Sequence, residues 1–239
     1  MTTTAPASGA AASDGGASGS TTPLGATPSQ TIGPFYGYAL PFTGGGDVAP
    51  TGHPDTVTVH GHVYDGAGAV VPDAIVEFWQ ADPAGSLSGA PGSMRRDRTT
   101  GEAIGRNGVD FTGFGRIATD QAGHFTLHTL PPGPATPSAA PYLAVCVFAR
   151  GLLHHLHTRA YFPEHTAAHA ADPLLTSLDD ARRATLIATS EADAWAGDGA
   201  GGEARAAAEA PAGARAGRRR YRFDIHLQGD QETVFLEFR

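Results

Sequence analysis

Between residues 57 and 64 the chain reads VTVHGHVY, with apolar residues recurring at alternate positions. Successive side chains of an extended strand point to opposite faces, so Val57, Val59 and Val63 share one face while Thr58, His60, His62 and Tyr64 share the other. The segments AIVEFWQAD, HFTLHTL, YLAVCVFARG, LLHHLHTRAYF, YRFDIHLQG and TVFLEF are likewise short and rich in β-branched or aromatic residues. Turn-forming runs such as DGAG, DQAG and PPGP separate them. Short strands punctuated in this way predict an all-β sandwich or barrel. One helix is expected: Pro173 opens a turn and SLDDARRATLIA follows, with Ser177 and Asp180 spaced as a capping box. The polar, glycine-rich stretch 83–110 reads as an excursion loop of the kind that borders sites.

Composition sets the organisation around those strands. Residues 1–26 are Ala/Gly/Ser/Thr filler that cannot bury enough apolar surface to offset ordering entropy, so a disordered tail is expected. Residues 197–217 have the same character and read as a flexible loop insertion within one domain spanning 27–239. A net charge of −8, with Arg218, Arg219 and Arg220 as the one dense basic run, argues against nucleic acid as a partner. Neither a secretory leader nor an apolar run of membrane-spanning length is seen, and a cytoplasmic protein is expected. Cys146, the single cysteine, sits within YLAVCVFA and reads as a small buried hydrophobe.

Three histidine groupings invite a metal assignment: His60 with His62, His155 with His157 beside His154, and His124 with His128. A site needs three or four converging ligands with supporting partners, and each pair by itself reads as exposed or hydrogen-bonded histidine. No G-x-S-x-G elbow is present, and the glycine runs lack the strand–turn–helix context of a phosphate loop. Arg150 ends an apolar strand and precedes Gly151. Its planar fork suits either a carboxylate ligand or a structural salt bridge. Directly after the tail, TPSQTIGPFY (27–36) is stiff and non-helical, shaped to lie against another surface.

Taken together, TPSQTIGPFY, HGHVYDGAGAVVPDAIVEFWQAD, FGRIATDQAGHFTLHTLPPG, FARGLLHHLHTRAYF and YRFDIHLQGDQETVFLEF resemble the intradiol ring-cleaving dioxygenases, from about residue 27 to 238. More narrowly they are similar to that family's alpha chains, which assemble with beta chains. The resemblance implies a β-sandwich core and opening of protocatechuate by O2 to 3-carboxy-cis,cis-muconate at a non-haem iron(III). In the family two tyrosines and two histidines hold that iron. Ala135 stands where one tyrosine belongs, Tyr142 and Ala144 stand at the histidine positions, and no tyrosine lies between Tyr64 and Tyr142, so the one expected ahead of GFGR is missing. This chain is therefore expected to bind no iron, the Fe(III) residing in a partner beta chain. The resemblance further implies that Thr31, Gly33 and Pro34 form a wall of the partner's substrate pocket. It gives Arg150 the edge of that pocket, favouring an anionic substrate, and makes the HLHTR segment framework. The alternative reading is a scaffolding sandwich with no contribution to a site; an independent metalloenzyme built on His60 and His62 is a third.

Overall fold

The computed structural model describes residues 33, 35–89, 94–101, 103–191 and 219–237; the tail 1–26 and the segment 197–217 lie outside them. The alternation in VTVHGHVY produces β1 (Val57–Tyr64), whose odd-numbered residues are buried and even-numbered ones half-buried. Along one edge β1 pairs antiparallel with β6 (His124–Thr129). Along the other it pairs in parallel, first with β10 (Arg220–Arg222) and then with β11 (Ile225–His226), and β9 (Thr189–Glu191) completes this sheet beside β10. The second sheet runs β5 (Phe114–Ala118), β2 (Ile75–Trp79), β7 (Tyr142–Phe148), β8 (Leu156–Tyr161), with every pairing antiparallel.

The inward rows of the two sheets, including Val57, Val59, Val63, Val76, Phe78, Phe125, Leu127, Val145 and Val147, form one buried cluster. Phe78 and Phe125 meet across it with ring centroids 5.5 Å apart, one from each sheet. Such face-to-face burial of alternating residues is the sandwich predicted from the two-residue period. Gly61 occupies an inward position of β1 because nothing larger fits: a Cβ there would lie 1.9 Å from the Phe223 carbonyl oxygen. The chain steps at this point from β10 to β11, and the Asp224 carboxylate accepts the His62 amide at 3.0 Å. The predicted strand YRFDIHLQG is thereby split in two.

A second apolar cluster of Ala140, Tyr161, Leu175, Leu186 and Val234 lies on the opposite side of the second sheet. It is built on short helices, and here the expectation of one helix is corrected. Pro173–Thr176 (α3) and Asp180–Ala184 (α4) are separate turns, preceded by α2 (Thr166–His169), while α1 (Tyr36–Ala39) lies near the N-terminus. Ser177 closes α3 rather than opening a helix, and the caps are Asp172 and Asp179. Each places a carboxylate on N–H groups that a first turn leaves unbonded. The excursion loop carries a small hairpin, β3 (Met94–Arg96) with β4 (Ala103–Arg106). Among the described residues of TVFLEF, 233–237 form no strand, and Leu236 makes a single bridge to His157.

Gly61→Ala forces backbone apart at the β1–β10–β11 junction and should destabilise by about 3 kcal/mol, the upper end for overpacking. Gly37→Ala, which meets no atom within 4 Å on a helical turn, should be neutral or slightly stabilising, and denaturant midpoints read both. His169 is buried with no hydrogen-bond partner at Nε2, and burial lowers its pKa from 6.5. The unfolded chain then binds a proton that the folded chain resists, so stability falls as pH drops below 6.5, until the folded pKa is passed. Replacing His169 with Leu should flatten that decline in pH-dependent unfolding.

Candidate functional site

Because β7 lies between β2 and β8, its outward residues face two neighbours each. Ala144 sits opposite Trp79 and Arg159, Cys146 opposite Glu77 and His157, and Tyr142 opposite Tyr161. Near Tyr142 and Ala144 a cleft of about 390 Å³ opens, walled by Trp79, Ala135, Gly133 and Leu87–Gly89. Trp79 is 54% exposed and packs against Phe114 at 4.3 Å between ring centroids. The Arg159 guanidinium lies 4.1 Å from the centre of the Tyr142 ring and donates to the Tyr161 hydroxyl at 3.2 Å. A delocalised cation on the aromatic face helps to fix the Tyr142 ring that lines the cleft.

The fold thus gathers Ala135, Tyr142 and Ala144 into one cleft, as the motif positions implied. The donors there do not suit a ferric ion. Among the described residues lining the cleft there is no His, Cys, Asp or Glu, and Tyr142 supplies the single phenol. The Gln80 side chain is committed elsewhere: its amide donates to the Ala81 and Leu130 carbonyls, and its oxygen accepts from Thr129 at 2.5 Å. One phenol, two aliphatic hydroxyls and an occupied amide fall short of the several anionic and imidazole donors that hold a hard, highly charged ion.

Gly33 and Arg150, far apart in sequence, are drawn together at one end of the central strands β2 and β7. Arg150 stands on the turn after β7, with its side chain 73% exposed, and donates to the Asp73 carboxylate. Asp73 adopts a left-handed backbone (φ 62) and accepts the Tyr36 hydroxyl on its carbonyl at 2.8 Å. Tyr36 in turn is buried, and its amide bonds to the Gly33 carbonyl at 3.2 Å. Burial raises the Tyr36 phenol above its usual pKa of 10.0, reinforced by the Asp73 charge and opposed by Arg150. At Gly33 a Cβ would meet nothing within 4 Å, and Phe35 beside it is 72% exposed. Thr31 and Pro34 lie outside the described residues.

The histidines of the first sheet do not converge on a metal. His60 pairs with Glu191 at 2.9 Å and approaches His124 at 3.4 Å; His62 lies 3.7 Å from Asp224, and His128 lies 3.0 Å from Asp47. His155 and His157 do share a face, edge to face at 4.7 Å. What the sequence reading missed is that β7–β8 pairing sets Cys146 directly across from His157.

With this geometry in place, the class is defined: the family profile described as Dioxygenase matches residues 46–229, and the chain belongs to that family. Hydroxyquinol 1,2-dioxygenase from Pseudomonas putida DLL-E4 shares the fold, with a TM-score of 0.51 and 17% identity over 86% of this chain and 68% of that one. Closer in sequence is the protocatechuate 3,4-dioxygenase alpha chain of Burkholderia cepacia, 37% identical over 90% of this chain and 99% of the relative. The protein of the same name from Pseudomonas putida is 34% identical over 89% and 96% respectively.

The group of Tyr36, Asp73 and Arg150 separates structural from functional roles. An exposed ion pair is worth about 0–1 kcal/mol, so Arg150→Ala should leave the unfolding midpoint nearly unchanged. Tyr36→Phe removes the hydrogen bond that holds Asp73 and should cost about 1 kcal/mol. Denaturant titration of both variants checks the contrast.

Proposed function

We propose that the chain is the alpha subunit of a protocatechuate 3,4-dioxygenase, completing the active site of an iron(III)-bearing beta subunit in a cytoplasmic hetero-oligomer. The observation that carries this reading is the combination of near full-length similarity to two such alpha chains with a cleft that offers no ligand set for iron. The reaction is intradiol cleavage of the aromatic ring by O2, giving 3-carboxy-cis,cis-muconate. When bound in the beta subunit, iron(III) supplies the Lewis acidity that this chemistry draws on.

This chain supplies shape and charge. Gly33 presents a backbone free of any side chain, which lets a planar ring approach closely, and Pro34 beside it fixes the direction of the wall. Thr31 adds a hydroxyl that can donate to or accept from the substrate. The Arg150 guanidinium, carried outward on its turn, holds the substrate carboxylate and favours negative charge developing in the reaction. In this reading residues 27–239 are one unit, with 1–26 a tail and 197–217 an insertion; limited proteolysis should cut first in those two segments.

The decisive experiment measures iron content and protocatechuate-dependent O2 uptake for the chain alone and co-purified with a beta chain. Iron and turnover are expected only in the complex; stoichiometric iron and turnover in the chain alone would overturn the reading. Within the complex, Arg150→Ala should lower kcat/KM by about one to two decades, the value of a charge-assisted hydrogen bond of about 1.5–3 kcal/mol. Unchanged kinetics would favour the scaffolding alternative.

A further inference from the structure

We propose that Cys146, His155 and His157 form a binding site for one thiophilic divalent cation of the zinc class. The site is separate from the cleft that corresponds to the family's iron centre. It lies two residues further along the outward row of β7 from Ala144, and none of its three members lines the cleft. It is also independent of the dioxygenase reading, since it rests on this chain's own side chains.

Three observations carry it. First, one donor atom from each residue lies within 4.8 Å of the other two. Bonds of about 2.0–2.3 Å in a tetrahedron place ligand atoms about 3.3–3.7 Å apart, so closure needs a shift of about 1 Å. Second, the donors rest on a paired framework: Cys146 and His157 are register partners on β7 and β8. His155, just before β8, packs its ring 5.3 Å from Phe148 and is half-buried. It can rotate onto an incoming ion. Third, the chemistry is matched, because a thiolate with two imidazoles is a soft-to-borderline set that prefers zinc-class ions over hard ones.

The surrounding charges agree with this assignment. Glu77 on β2 lies opposite Cys146 and is paired with Arg116 at 2.6 Å; Arg159, one row away, is engaged with the Tyr161 hydroxyl. Burial lowers the pKa of His157 from 6.5, with His155 adding to the effect, so the imidazole keeps its lone pair at neutral pH. Burial, assisted by Glu77, pushes the Cys146 thiol up to about 12, so without an ion it stays protonated and unreactive. Binding replaces that proton: the S–H bond is exchanged for an S–metal bond and one proton passes to solvent. Three protein donors leave the fourth position of a tetrahedron for water.

Cobalt(II) titrated into the purified full-length chain tests the site, because it takes zinc's geometry and reports its ligands by absorption. One equivalent should bind, with a near-ultraviolet thiolate-to-cobalt charge-transfer band and intense tetrahedral d–d bands, both erased by added zinc. Cys146→Ser should abolish the charge-transfer band. His155→Ala and His157→Ala should each weaken binding at least about tenfold; His155, half-exposed, is the variant that keeps the test alive if the Cys146 change disturbs folding. Absence of the charge-transfer band in the parent chain, or its persistence with undiminished affinity in both histidine variants, would overturn the site.

Discussion

Everything outward-facing on the second sheet depends on the register in which β7 is held between β2 and β8. Leu143, Val145 and Val147 point inward and are buried, while Tyr142, Ala144, Cys146 and Phe148 point outward. Because the side-chain period of a strand is two, a slip by one residue would exchange these rows. The core would then receive Tyr142 and Phe148, and the face that carries the cleft would receive valines. Burial of the inward row therefore fixes which residues can meet a ligand.

The Asp172 carboxylate helps to hold that register. It is fully buried, accepts from the amides of Leu174, Leu175 and Ala140, and lies 3.3 Å from the Tyr161 hydroxyl. One side chain thus caps α3, anchors the chain two residues before Tyr142, and reaches the end of β8. A buried carboxylate with this many donors is well satisfied, whereas its loss would leave several donors unpaired at once.

The strands with clean alternation were readable because burial on one face writes a period of two into the sequence. β5 was not, because one of its two inward positions is Gly115, where a Cβ would lie 2.8 Å from Leu127 Cδ1, which leaves Ile117 as its one inward apolar side chain. The periodic signal vanishes where the packing is tightest. β9 is three residues with no buried member, and the expected helix broke because Asp179 provides a second cap. Positions Ala135, Tyr142 and Ala144 were found from motif alone, since the turn before β7 keeps their spacing fixed. The motif also singles out Arg150, but not the residue it pairs with: Asp73 lies 77 residues away, and no local pattern announces such a pair. Cys146 is the small buried residue that its apolar run announces, but its register partner His157 was not foreseen, because that pairing depends on the length of the turn between β7 and β8.

Adjacent residues Ala160 and Tyr161 belong to different apolar clusters, one on each face of β8. A single strand therefore serves as the shared wall of two compartments. Stripping α3 and α4 away would wet Tyr161 and loosen the strand whose other face lines the sandwich core. The shared strand therefore couples the stability of the small helical layer to that of the sandwich core.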